Sequence, residues 1–294
     1  MSANSDNMHS GSSGRTIWLF LHIPKCGGTT VREILTRNFG QAFKSGTSLV
    51  DWPCFDADQT LDILQSFPQI RCFADHRLAI PSLPQGIAGL NPFTFLRDPF
   101  ERLCSEYFHN RERVHYIPEA RQLSLDKYLQ WAVLDNHRPA NTNYQCKWLS
   151  GGGGRELSRM LTPAEIVSAL SGRLYPLERM DEVLILLQHQ HPDLFRASAY
   201  LPLNATPRCE RASEKMEQEI RRLNQEDAEL LQMSNRLLDE QLAATFAERG
   251  SLEIALSKMK HQCLLLRKSQ DSLFSKARRK IRRIFLRAGQ ACGY

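Results

Sequence analysis

The run His22-Ile23-Pro24-Lys25-Cys26-Gly27-Gly28-Thr29-Thr30 gathers a cation, two glycines and two hydroxyls in nine residues. The chemistry it suits is anion binding. Glycines let the backbone turn tightly and bring consecutive N–H groups to one ligand. A helical pattern opens at Thr29, so the positive end of a helix dipole falls at the same spot. Lys25 adds a mobile ammonium, and Thr29 and Thr30 add donors. A second constellation is Arg97-Asp98-Pro99-Phe100-Glu101-Arg102-Leu103-Cys104-Ser105. Asp98 is a good N-cap and Pro99 suits the first helical position, so a helix begins here and Arg97 lies on the connection before it. Ser105 is two helical turns beyond Asp98 and shares its face. An arginine at a strand edge and a hydroxyl on the facing helix could share one phosphate, the arginine in bidentate fashion.

The first loop is not a Walker A loop, which reads G-x-x-x-x-G-K-[ST]. Here Lys25 precedes the glycines. The order Pro-Lys-x-Gly-Gly-Thr-Thr resembles the 5′-phosphosulfate loop of the sulfotransferases, in particular the glycan O-sulfotransferases related to heparan sulfate 2-O- and 6-O-sulfotransferase. Arg-Asp-Pro-x-x-Arg-x-x-Ser resembles the 3′-phosphate segment of the same family. The resemblance covers about residues 16 to 245 and implies 3′-phosphoadenosine 5′-phosphosulfate (PAPS) as co-substrate, without a metal. It implies that Lys25, Cys26, Gly27, Gly28, Thr29 and Thr30 hold the 5′ end, and Arg97 and Ser105 the 3′-phosphate. Lys25 would follow charge onto the leaving oxygen, as in phosphoryl transfer.

A sugar hydroxyl is a poor nucleophile at neutral pH, so the acceptor side needs a base. His76 stands just past a predicted strand end, where ligands bind in open α/β sheets. The family often places its catalytic histidine after this strand, and Ala-Asp-His resembles its Gly-His. A histidine that merely caps the strand, or a role swap with Asp75, stays open. The chain departs from the family at Cys26, where Thr or Ser is usual. A thiol at a helix N-terminus has a lowered pKa, so Cys26 is an expected oxidation site.

These residues need elements to carry them. Thr16 to Ile23 reads as a strand buried on both faces, Thr29 to Asn38 as a helix, and 40–58 as irregular. A helix from about Gln59 to Ser66 precedes a strand at Ile70 to Ala74, and Phe93 to Leu96 is another strand. Further helices are expected at Leu125 to Leu134, from Thr162, and after the strand Leu174 to Leu177. Asn141 to Gly151 resembles a family segment near the active site, followed by glycines 152–154 that read as a lid hinge or a bland linker. Asn204-Ala205-Thr206 resembles the family's adenosine-side loop. Met216 to Leu242 reads as one amphipathic helix, ended by Gly250 and Ser251. The pattern predicts a P-loop-like three-layer α/β sandwich with a central parallel sheet, plus a C-terminal helical extension. The expected divisions are a disordered leader at 1–15, a sulfotransferase domain at 16–248 and a C-terminal helix at 249–294.

Leu252, Leu256, Met259, Cys263, Leu266 and Leu273 recur at spacings of four and three, a coiled-coil-like seam. From 272 onward there are seven basic residues and no acid, and removing them from the net charge of +6 leaves the body near −1. Such a segment suits peripheral contact with an anionic membrane or helix-mediated self-association, with nucleic acid not expected. The eight cysteines include no C-x-x-C pair, which argues against zinc and a disulfide framework. No signal-peptide or membrane-spanning pattern stands out, so a cytoplasmic enzyme is expected, or a Golgi lumen enzyme if an anchor has been removed. The functional expectation is PAPS-dependent O-sulfation of a glycan acceptor by in-line transfer. The alternatives are a P-loop-type nucleotide-dependent kinase, or a non-catalytic binding protein acting through its C-terminal helix.

Overall fold

The computed structural model describes residues 15–46, 49, 54–114, 116–151, 157, 159–201, 210–248 and 250–270. Five parallel strands, β1 (Ile17–Leu21), β2 (Phe43–Ser45), β3 (Cys72–Asp75), β4 (Leu90–Leu96) and β5 (Leu174–Pro176), form one sheet in the order β2-β3-β1-β4-β5. The helices that cover it begin with α1 (Gly28–Phe39), α2 (Ala57–Ser66), α3 (Pro99–His109), α4 (Glu119–Gln122) and α5 (Leu125–Leu129). They continue with α6 (Tyr144–Gly151), α7 (Pro163–Ala169), α8 (Met180–Gln190), α9 (Glu214–Leu223) and α10 (Gln225–Thr245). Residues 251–270 form an eleventh, α11.

Every position of β1 is buried, and its pleat divides them between two cores. Trp18 and Phe20 pack with α1, α8 and the end of α10, while Ile17, Leu19 and Leu21 pack with α2, α6, α7 and Leu230. The sheet is thus the middle of three layers. A third cluster, from α3, α4, α5 and Ile220, sits to the side.

Three expectations change. The stretch expected to be irregular contains β2, whose Phe43, Lys44 and Ser45 pair with Cys72, Phe73 and Ala74. The single helix expected over Met216 to Leu242 is two, α9 and α10. Asn224 leaves helical geometry (φ −118°, ψ 41°), donates to the Ile220 carbonyl at 2.8 Å and accepts from the Asn143 N–H at 2.8 Å. The seam on α11 faces the protein's own core. Met259 is buried, and Leu252, Leu256 and Cys263 pack against the cluster beneath it. Gly152 to Gly154, Asn204 to Thr206 and the basic segment lie outside the described residues.

Candidate active site

The carboxyl ends of β1, β3, β4 and β5 open onto one edge, where the sheet releases His22, His76, Arg97 and Leu177. The turn after β1 is tight. Lys25 (φ 68°) and Gly27 (φ 74°) both sit in the left-handed region, and Gly27 precedes the first residue of α1. A non-glycine residue there stores local strain, which tends to collect where a backbone grips a ligand. Neither glycine has room for a side chain. A Cβ on Gly27 would stand 2.3 Å from Leu177 Cδ1, and one on Gly28 would stand 1.4 Å from His22 Nε2. Thr29 is exposed, whereas Thr30 is nearly buried.

The Arg97 segment lies directly against the Lys25 loop. Arg97 Nη1 donates to the Lys25 carbonyl at 3.2 Å, and its guanidinium stands 3.7 Å from Glu101. Asp98 caps α3 by accepting from the Glu101 N–H at 3.0 Å, as its sequence position predicts. Ser105 is half-buried two turns along, and no hydrogen bond ties it to Arg97. Cations crowd this corner. Burial lowers the Lys25 pKa to about 8, and Arg97, Arg102 and Arg113 push it the same way against the pull of Glu106. His109, one turn beyond Ser105, is likewise lowered by burial and by Lys25. Glu101 and Glu106 offset Arg97 and Arg102, and Lys25 adds a cation that suits a negatively charged ligand.

One buried side chain joins the two segments. Gln145 Oε1 accepts from the Arg97 N–H at 2.9 Å and from the Cys26 thiol at 3.3 Å. Its Nε2 donates to the Arg97 carbonyl at 2.7 Å. Asp227, from α10, accepts from the N–H groups of Gln145 and Cys146 at 3.0 and 2.9 Å, closing the first turn of α6. Beneath them Arg102 pairs with Glu106 at 2.8 Å and lies 3.9 Å over the Tyr144 ring. Glu106 also meets Asn141 and Tyr128 at 3.3 and 3.4 Å, so this buried charge is thoroughly partnered. Sequence reasoning noted Asn141 to Gly151 and Arg102 but missed this network. The i,i+4 spacing of Arg102 and Glu106 was the one available signal.

Cys26 corrects an expectation. Its thiol points into the protein toward Gln145 and is fully buried, and burial raises its pKa to about 12. Desolvation of the thiolate outweighs the helix end and the nearby arginines. Cys26 is therefore a poorly nucleophilic structural thiol, and its side chain is turned away from where a donor would lie.

On the other side of the loop, His76 stacks on His22 with ring centroids 3.6 Å apart, and Trp148 meets it edge-on at 6.4 Å. His76 Nδ1 lies 2.9 Å from the His22 carbonyl. A carbonyl only accepts, so Nδ1 carries the proton and Nε2 keeps the lone pair. Burial lowers the His76 pKa, with Arg32 and Arg77 in the same direction and the His22 carbonyl and Asp75 opposing. His22 is lowered to about 2, first by burial and then by His76, so it stays neutral. Asp75 is committed elsewhere. Its carboxylate is held by Arg77 Nε at 2.7 Å and Nη2 at 3.1 Å, which disfavours its exchange of roles with His76. Among the described residues, no group of three or more His, Cys, Asp or Glu side chains is arranged to hold a metal.

A family model described as a sulfotransferase family matches residues 13–151, the span that holds both phosphate segments and His76. No curated protein matches the chain.

Proposed function

We propose, for a chain that belongs to the sulfotransferase family through residues 13–151, that sulfuryl transfer from PAPS goes to a carbohydrate hydroxyl with His76 as general base. The family makes the protein a transferase with PAPS as donor. The observation that carries the rest is the junction of the two anion segments, where Arg97 reaches the Lys25 carbonyl. Lys25, the backbone N–H groups of Gly27, Gly28 and Thr29, and the Thr29 and Thr30 hydroxyls would receive the 5′ end. Arg97 and Ser105 would receive the 3′-phosphate. Charge shifts onto the leaving oxygen during in-line transfer, and the Lys25 ammonium stabilises it there.

On the acceptor side, the neutral His76 takes the hydroxyl proton at Nε2 as the oxygen attacks. Burial serves this role, because it keeps the imidazole unprotonated at neutral pH. Trp148 supports a sugar as the acceptor. Among the described residues its indole N–H has no hydrogen-bond partner, and its ring lies against the proposed base. The Trp148 ring, backed by Tyr144 at 5.4 Å, also suits the apolar face of a sugar ring.

The test pairs binding with turnover. The desulfated product, 3′-phosphoadenosine 5′-phosphate, should raise the melting temperature more than ATP does. Labelled sulfate should pass from PAPS to members of an oligosaccharide panel, and Lys25→Ala should abolish it. A larger shift with ATP would favour a kinase, and transfer to tyrosine peptides alone would remove the carbohydrate.

A further inference from the structure

Four large hydrophobic residues are exposed among the described residues, and three of them stand on α11: Ile254 (72%), Leu264 (57%) and Leu265 (52%). The opposite face of that helix is already covered. Met259 is buried, Leu252, Ala255, Leu256 and Cys263 pack on the core, and the Tyr200 N–H donates to Cys263 Sγ at 3.4 Å. Ile254 and Leu265 are separated by about three helical turns, so they fall in line on the side away from Met259. The apolar stripe has therefore no partner within the described molecule.

The charge on this helix is mostly positive. Within 251–270, Lys258, Lys260, Arg267 and Lys268 face a single acid, Glu253. A cleft of about 460 Å³ beside the stripe is lined by Arg37, Arg196, Gln188, Gln262, Leu265 and Ser269. The chain beyond it adds seven more basic residues between 276 and 287, interleaved with Ile281, Ile284, Phe285 and Leu286.

We infer that the outer face of α11 docks on an anionic lipid bilayer. Lipid uses both features, taking exposed leucines at the acyl boundary and lysines at the headgroups. Nucleic acid would use the charge and leave the aliphatic stripe in water. A second copy would bring two strongly cationic faces together, which like-charge repulsion opposes. No described helix is long and apolar enough to cross a membrane, so α11 lies on the surface. The docking face is also remote from the site. Arg37 is in the last turn of α1 and the anion loop precedes its first, about 18 Å away along twelve residues. A docked enzyme would keep its donor pocket open to water.

Flotation of the full chain with phosphatidylcholine vesicles, with and without phosphatidylserine, tests this. The protein should float with the phosphatidylserine vesicles, hardly with the neutral ones, and less as salt is added. Ile254→Glu with Leu265→Glu should lower the bound fraction about tenfold or more, since two burials are lost. Lys258→Glu with Lys268→Glu should act in the same direction and carries the test if the first pair fails to fold. Neither pair touches the active site, so melting shifts with the desulfated product should persist. Absence of binding to anionic vesicles, or unchanged binding by both pairs, would overturn the inference. So would a dimer in ultracentrifugation that Ile254→Glu with Leu265→Glu dissociates while vesicle binding stays intact, which would assign the stripe to self-association.

Discussion

The donor and acceptor sides of the candidate site are held by different forces. On the donor side, Gln145 makes three hydrogen bonds of 3.3 Å or less with Arg97 and Cys26, and Asp227 holds the helix that carries it. On the acceptor side, His22, His76 and Trp148 meet through their rings, with one hydrogen bond at 2.9 Å and one indole N–H left over. Directional bonds fix atoms to a narrow geometry, whereas stacked rings slide at little cost. The proposed donor side is accordingly the more tightly fixed of the two. A donor with two charged ends, as proposed here, rewards fixed spacing.

The sharpest way to separate the sides is to remove the proposed base. His76→Ala should lower turnover by ~10²–10⁴ while leaving affinity for the desulfated product intact. Isothermal titration beside a sulfate-transfer assay reads both, and normal turnover would place the base elsewhere. Gln145→Leu attacks the other side. It strips partners from the Arg97 N–H and C=O, so a loss of about 2–4 kcal/mol in denaturant stability is expected, with weaker product binding. Trp148→Phe removes a donor that bonds to nothing and should stay within about 1 kcal/mol in the same melt. Equal losses would erase the distinction between the sides. Arg97→Ala should cost about 1.5–3 kcal/mol of donor affinity, the worth of a charged hydrogen bond, with a smaller effect on stability.

What the sequence disclosed follows the same division. The turn after β1 and the start of α3 were legible because glycine, proline and capping residues act locally: Gly27 and Asp98 do their work within three residues of themselves. The layers were legible because β1 is apolar throughout and the helices keep their period. The clamp was not, since Gln145 and Asp227 are 82 residues apart and neither type announces a partner. Cys26 misled for a related reason. A helix end lowers a thiol pKa as a local effect, and the burial that overrides it comes from the far side of the fold. Phe43-Lys44-Ser45 has too few residues to show a strand period, and Asn224 interrupts a pattern whose apolar spacing runs straight through it.

The pH dependence carries the comparison further. In the free enzyme Lys25 has its pKa lowered to about 8, chiefly by burial, and a bound polyanion would restore the charged form. Binding of the desulfated product is thus fully supported below that value and weakens as pH rises through it. The loss approaches tenfold, about 1.4 kcal/mol, per pH unit until the bound-state pKa is reached. Lys25→Arg, which stays charged, should flatten this alkaline limb in titrations. As the proposed base His76 has the opposite requirement, since a base must be neutral to act, and its pKa lies below the usual histidine value. Turnover should therefore also fall on the acid side, and that limb should vanish in the residual activity of His76→Ala. An alkaline limb in binding that Lys25→Arg leaves unchanged would mean that the donor side titrates through some other group.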